Sequence, residues 1–206
     1  TVVLKTVLFF QLLAQAGLFV PAKVFCSRLY DSISYVGELD SERLAGLSGF
    51  GMEVWRLESA WKDSKAEGQA ALVAFDELAR TTGSHEAEAL LSAVIEAQVK
   101  HGLAGMAFYA THFRGVARLH GAEYRRMRGL DRSALSLAMA AQNKTDHADE
   151  NLDKRLAGIN RFMRYEIIDD ECSVPESDAL AIASLLGLDN NIVDRARFYL
   201  GKKEDK

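Results

Sequence analysis

The chain has 206 residues and a formal net charge of −4, so composition gives no overall attraction for nucleic acid. Hydrophobic residues make up 49% and charged residues 26%, which excludes a disordered chain and a polytopic membrane protein. The two cysteines, Cys26 and Cys172, exclude a disulfide scaffold and a cysteine zinc cluster. Two prolines in the whole chain favour long helices over a turn-rich sheet.

The first predicted element is an apolar helix, Val2–Ala16, that ends at Gly17. Gln11 and Gln15 share one side of this helix, as they do in a helix packed against a core. The same stretch resembles a signal peptide, with Ala14-Gln15-Ala16 in the place of a cleavage site, but it falls short of the ~20 residues that span a bilayer. We therefore expect a buried first helix, with the signal peptide as the alternative.

Helical periodicity continues through the rest of the chain, and no window shows the alternation of a half-buried strand. The remaining predicted helices are, in chain order, Ala22–Val36, a short helix ending at Leu47, Glu53–Arg80 as one bent helix or two, Glu86–Lys100, Leu103–Arg128, Ser133–Gln142, Asp146–Tyr165, Ser177–Leu186 and Ile192–Leu200. The sequence predicts an all-α fold, a multi-helix bundle of roughly nine to eleven helices in two packed helical subdomains.

Two changes in local composition divide the chain. Thr81-Thr82-Gly83-Ser84 reads as a link, and residues 169–176 are acidic and loop-like. We predict an N-terminal helical subdomain at 1–82, a central helical subdomain at 83–168 and a C-terminal helical segment at 169–206.

No motif has the spacing of a catalytic or metal site. Gly46-Leu47-Ser48-Gly49-Phe50 lacks the last glycine of G-x-S-x-G, and no H-E-x-x-H occurs. Acids and a histidine crowd the helix start at Asp146–Asp153, where helix-dipole chemistry explains them better than a metal does. We predict no catalytic residue, metal or cofactor, and a protein that is not an enzyme. A site assembled only in three dimensions is the alternative.

The net charge reverses between His101 and Arg132, where six arginines face two acids and give a formal charge of +4. In a continuous helix, Arg114, Arg118, Arg125 and Arg128 fall within an arc of about 80°. Such a stripe suits the phosphates of RNA, DNA or anionic lipid. The predicted phosphate-, lipid- or RNA-binding residues are Arg114, Arg118, Arg125, Arg126, Arg128 and Arg132. The alternative is a solvated face neutralised by acids from elsewhere in the fold.

Small residues flank the basic stretch on both sides, as at Gly105 and Ala138. They allow helices to approach closely. Tight internal packing is the usual meaning, and a self-assembly surface that makes a homo-oligomer is the alternative.

The order of certain residues resembles the matrix protein family of orthomyxoviruses, the influenza-like viruses. The residues that carry the resemblance are Pro21, Lys23, Arg28-Leu29, Asp31, Gly37, Asp40, Leu44, His101-Gly102, Tyr109, Gly115, Gly121, Tyr124-Arg125-Arg126-Met127 and Ala148-Asp149. They cover about a third of the chain. Glu86–Lys100 departs from the family, which has a basic helix there, and the family's Cys/His cluster is missing.

The resemblance implies a divergent matrix protein that self-assembles and binds anionic membrane, ribonucleoprotein or both through its arginine face. It implies a location on the inner face of the virion envelope, and in the host cytoplasm, the nucleus or the inner face of the plasma membrane. The alternative function is a helical nucleic-acid-binding nucleocapsid protein or regulator that uses the same arginines on RNA.

Overall fold

The computed structural model describes residues 1–37, 48–64, 69–101, 105–141, 158–170 and 178–204. The chain forms two compact units, Thr1–Ala122 and Glu123–Lys206. Each unit contains β-strands as well as helices, so the predicted all-α fold is wrong and the protein is α/β. The three-segment division at 82/83 and 168/169 stays a prediction about folding units.

The first unit alternates helices with strands. Its elements are α1 (Val2–Gln15), β1 (Ser32–Val36), α2 (Gly49–Ser64), β2 (Ala71–Asp76), α3 (Ser84–His101) and β3 (Met106–Ala110). The strands form a parallel sheet in the order β1-β2-β3, with Ser32 level with Ala71 and Leu72 level with Met106. Because the strands are parallel, their carboxyl ends all lie at one edge of the sheet.

The central strand, β2, is buried along its whole length. Its side chains alternate between two apolar layers, because successive residues of a strand point to opposite faces. Leu72 and Ala74 lie in the layer that α1 covers. Val73 and Phe75 lie in the layer that α2 covers through Ala60. The sheet is therefore packed on both faces, and both layers contribute to the core.

Helices lie where the sequence predicts them at α1 and α3, but four predicted helices contain strands. The overlaps are β1 in Ala22–Val36, β2 in Glu53–Arg80, β3 and β4 in Leu103–Arg128, and β5 in Asp146–Tyr165. The physical reason is clearest at β2. A strand buried on both faces needs no polar alternation, so its pattern does not differ from that of a buried helix.

The second unit contains β4 (Arg125–Leu130), α4 (Arg132–Ala141), β5 (Met163–Asp169), α5 (Ala179–Leu185) and α6 (Asn190–Glu204). The strands β4 and β5 pair antiparallel, with an irregularity between Met127 and Gly129. Leu130, Ile159 and Val193 are its buried apolar residues within the described ranges. The helices predicted at Ser133–Gln142, Ser177–Leu186 and Ile192–Leu200 correspond to α4, α5 and α6.

Several predicted features lie outside the described residues. They are the short helix ending at Leu47, the acidic helix start at Asp146–Asp153 and most of the acidic loop at 169–176. No described helix combines the length and apolar composition needed to cross a bilayer. The first helix packs on the sheet and buries Leu4, Leu8 and Gln11.

Candidate functional site

Asp76 ends the central strand at the carboxyl edge of the parallel sheet and is 8% exposed. Within the described ranges it is the only buried carboxylate. Burying a charged group is costly unless other groups compensate it, so such a residue marks a candidate functional site. The carboxyl edge is also where open parallel α/β sheets bind ligands.

The two carboxylate oxygens of Asp76 have different surroundings. The hydroxyl of Tyr35, in β1, donates a hydrogen bond to Oδ2 at 2.7 Å. The amino group of Thr1 lies 3.2 Å from Oδ1 as an ion pair. Oδ1 is otherwise buried. One oxygen is therefore held by the protein, while the other faces a positive charge.

The carboxyl of Asp76 is ionised more readily than usual. Burial raises its pKa, but hydrogen bonds from Thr1 and Tyr35 and the charge of the amino terminus outweigh burial. The pKa of Asp76 therefore lies below its usual value. An ionised carboxylate only accepts hydrogen bonds or binds cations, so a cation is a suitable ligand for Asp76.

The first helix starts beside Asp76, as the contact with Thr1 shows. Thr1 is the N-cap residue of α1 but makes no side-chain capping hydrogen bond. The helical bonds begin when the Lys5 N–H donates to the Thr1 carbonyl at 3.0 Å, so the first N–H groups have no helical acceptor. Such a helix end carries partial positive charge and favours an anion such as phosphate.

Further reactive side chains follow the neighbouring strand ends. Glu77 comes directly after Asp76, and its N–H donates to the Ala110 carbonyl, at the end of β3, at 2.9 Å. Glu77 and Ala79 have positive φ angles of 54° and 63°, which is strained backbone for residues other than glycine. His112 is exposed two residues past β3. A strained turn with a second carboxylate therefore adjoins the buried one.

The donor set at this edge fits a hard divalent cation. Mg²⁺ prefers oxygen ligands and is usually held by one or two carboxylates together with phosphates and water. Asp76 Oδ1 and the Thr1 hydroxyl supply such oxygens. The described part of the chain contains no group of three or more His, Cys, Asp or Glu side chains that could hold a metal alone. A phosphate-bearing ligand would complete the coordination.

The sequence analysis missed Asp76 and Glu77. It placed them inside the predicted helix Glu53–Arg80, where an acid pair is ordinary. The signal that could have found them is the uninterrupted apolar run Ala70–Phe75 directly before two acids. That pattern is typical of a buried parallel strand followed by a functional loop.

The six predicted phosphate-binding arginines do not form one helical stripe. Arg114 and Arg118 lie in an irregular, exposed segment of the first unit. Arg125, Arg126, Arg128 and Arg132 lie in the second unit, on β4 and at the start of α4. The continuous helix on which their shared arc depended is absent here, because strands and irregular backbone occupy the described residues 105–130.

The four arginines of the second unit are paired with acids. Arg125 contacts Asp169 and lies 3.0 Å from Glu123. The other three ion pairs are Arg126–Asp170 at 3.8 Å, Arg128–Glu166 at 3.2 Å and Arg132–Asp178 at 3.1 Å. The sequence analysis gave neutralisation of the arginines by acids as the alternative, and it applies to these four arginines. Phosphate binding by the arginines stays a prediction.

In the first unit, fold and site together define a parallel α/β architecture whose candidate ligand site is a buried carboxylate beside a helix N-terminus. The family model described as MutS domain V matches residues 1–203. The chain belongs to this family.

Curated relatives are bacterial proteins called DNA mismatch repair protein MutS. The relative from Clostridium botulinum strain Alaska E43 is 26% identical over 208 residues, covering 98% of this chain and 19% of the relative. The relative from Lactococcus lactis subsp. cremoris is 26% identical over 197 residues, covering 95% and 20%. The relative from Streptococcus sanguinis is 30% identical over 109 residues, covering 52% and 12%. The chain spans about a fifth of the length of the first two.

Membership of the MutS domain V family corrects several predictions. The resemblance to orthomyxovirus matrix proteins is wrong, and so is the predicted function as a self-assembling viral structural protein. The predicted partners depended on that resemblance and are wrong as well. They were an anionic membrane, ribonucleoprotein and a matrix-type homo-oligomer. The predicted location in the virion and beneath the envelope is wrong for the same reason. The matched residues were few and separated by gaps, and similar spacing alone does not distinguish common ancestry from chance.

Proposed function

We propose that this chain supplies the cation-binding edge of an ATP-binding domain that acts in DNA mismatch repair. The observation that carries the proposal is the placement of Asp76 Oδ1, buried at the end of the central strand and 3.2 Å from the amino nitrogen of Thr1 at the start of α1. In P-loop NTPases, a strand-end aspartate and a serine or threonine at a helix start hold Mg²⁺ in this way. Family membership and the names of the relatives support the repair context.

Each residue of the site has a distinct part in the proposal. Asp76 and the Thr1 hydroxyl bind Mg²⁺, which neutralises phosphate charge when bound. The uncapped N–H groups of α1 favour the phosphate oxygens. Glu77 lies beside the cation position, where a carboxylate can orient water. His112 lies past the adjacent strand end, on the same edge of the sheet.

The sequence contains no G-x-x-x-x-G-K-[S/T] segment, the loop that cradles nucleotide phosphates in P-loop proteins. The prediction that the chain is not an enzyme stays a prediction. We expect the chain to bind Mg-ATP weakly and not to hydrolyse it. If the chain releases phosphate from ATP and Asp76→Asn abolishes that release, this expectation is wrong.

Calorimetric titration of ATP into the chain, with and without Mg²⁺, tests the proposed function. We expect binding that requires Mg²⁺ and that Asp76→Asn weakens at least about tenfold, because the variant removes the charged ligand. Asp31→Asn is the matched control. Asp31 lies before β1, at the opposite edge of the same sheet, and accepts a hydrogen bond from the Ala70 N–H at 2.7 Å. An affinity for ATP that changes neither when Mg²⁺ is removed nor in Asp76→Asn would contradict the proposal.

A further inference from the structure

Tyr35 contacts the candidate cation ligand but does not face the cation position. Its hydroxyl donates to Asp76 Oδ2 at 2.7 Å, on the opposite side of the carboxylate from the oxygen that faces Thr1. Tyr35 lies in β1, level with Ala74 in β2, so its ring reaches forward along the sheet to meet Asp76. A carboxylate held at one oxygen has its second oxygen fixed in direction.

The ring of Tyr35 is itself held in place. The ammonium of Lys5, in α1, lies 5.1 Å from the ring centroid, within range of a cation–π interaction. On another side the ring passes over Gly37. A Cβ placed on Gly37 would lie 2.5 Å from the Tyr35 hydroxyl oxygen and 2.6 Å from Cζ. The bare glycine therefore makes room for the ring in the position that reaches Asp76.

Gly37 is in turn tied to α2. The guanidinium of Arg56 donates a hydrogen bond to the Gly37 carbonyl at 3.0 Å. The backbone at the end of β1 is therefore anchored where the Tyr35 ring needs space.

We propose that Tyr35 is a positioning residue for Asp76: its hydroxyl holds Oδ2 so that Oδ1 faces the cation at the start of α1. This inference rests on the proposed function, because it concerns the same cation site. Hydrogen-bonding partners of metal ligands orient those ligands, and their loss typically costs 10- to 100-fold in metal affinity. Lys5, Gly37 and Arg56 act one step further out, by keeping the ring where its hydroxyl reaches the carboxylate.

Mn²⁺ is a suitable probe because it takes the same oxygen ligands as Mg²⁺ and its free form is visible by electron paramagnetic resonance. We expect Tyr35→Phe to raise the Mn²⁺ dissociation constant about tenfold, because Asp76 loses its orienting hydrogen bond. Gly37→Ala should have a similar effect while keeping the hydroxyl, because the added methyl displaces the ring. Its backbone has no positive φ, so the alanine itself is tolerated there.

Tyr109→Phe is the matched control. It removes a phenol hydroxyl from the same sheet, but Tyr109 packs in the opposite layer and its hydroxyl contacts Gln98. Its Mn²⁺ affinity should equal that of the unmodified chain, even where thermal stability falls as much as in Tyr35→Phe.

Tb³⁺ luminescence gives a second readout, which tests whether the cation binds beside Tyr35, because Tyr35→Phe removes the sensitising ring. Tb³⁺ seated on Asp76 lies close to the Tyr35 ring, so excitation of tyrosine should sensitise its emission. Tyr35→Phe should remove most of the emission that Asp76→Asn removes, and Tyr109→Phe should not.

The outcomes separate the two levels of the proposal. Weaker Mn²⁺ binding in Tyr35→Phe and Gly37→Ala, with Tyr109→Phe unchanged, supports the positioning role. Loss of binding in Asp76→Asn with normal affinity in Tyr35→Phe overturns the positioning role and leaves the proposed function standing. Unchanged Mn²⁺ binding in Asp76→Asn overturns the proposed function and the positioning role together.

Discussion

Gly105 lies immediately before β3, where the backbone passes against the start of β2. A Cβ at this position would overlap the carbonyl oxygen of Ala71, which is backbone and cannot move aside as a side chain can. The absence of a side chain at Gly105 thus sets how closely β3 approaches β2.

Gly105→Ala should therefore lower the free energy of unfolding of the chain by about 1–3 kcal/mol, the usual cost of overpacking. Gly83→Ala is the control, because a Cβ at Gly83 meets only Glu86 Oε2 at 3.9 Å. That variant should change stability by less than about 1 kcal/mol. Urea unfolding followed by circular dichroism measures both, and equal stability of the two variants would contradict the close approach.

In the second unit, Asp131 joins β4, α4 and β5. Its Oδ1 accepts a hydrogen bond from the Ala134 N–H at 2.9 Å, in the first turn of α4. Its Oδ2 lies 3.2 Å from the Arg164 guanidinium, in β5. The Ala134 hydrogen bond lowers the pKa of Asp131, burial raises it, and Arg164 lowers it further, so the pKa lies below its usual value.

This pKa direction predicts a dependence of stability on pH. Above the pKa of the unfolded chain, about 4, Asp131 is ionised in both states and its contribution is complete. As the pH falls through the lower pKa of the folded state, the carboxyl protonates and the contribution is lost. Asp131→Asn should therefore unfold at a lower temperature at neutral pH, and the difference from the unmodified chain should shrink toward pH 3.

Asp194→Asn is the control for the pH series. Asp194, in α6, is paired with Arg197 at 3.1 Å and has a largely exposed side chain, so its loss should matter little at any pH. Thermal unfolding followed by circular dichroism at several pH values gives the comparison. A constant difference between Asp131→Asn and the unmodified chain down to pH 3 would contradict the pKa direction.

The elements also show how far local sequence determines structure. α1 and α3 are recognisable because periodicity, Gly17 and the start at Ser84 all indicate helices. β2 is not recognisable, since both of its faces are buried and an uninterrupted apolar run fits a strand or a helix equally well. The arginines do not share one helical arc, because the predicted helix would have to run through Gly121, where the backbone has a φ of 96° and turns instead.

The candidate site joins residues that are far apart in sequence. Thr1, Tyr35 and Asp76 meet only because the parallel sheet brings β1 and β2 side by side and α1 packs over them. No spacing rule within one segment connects such residues, so the sequence analysis did not find this site. Once the strand order is known, the position of Asp76 at the carboxyl edge follows from topology alone.

Paramagnetic broadening of amide signals by Mn²⁺ tests most directly whether the cation binds at the carboxyl edge of the sheet. In a ¹⁵N-labelled chain, substoichiometric Mn²⁺ should first remove the amide signals of Val2, Val3 and Glu77, with Tyr35 next, and Asp76→Asn should restore them. Broadening that instead centres on the acids of β5, such as Glu166, and that persists in Asp76→Asn would contradict the proposed site.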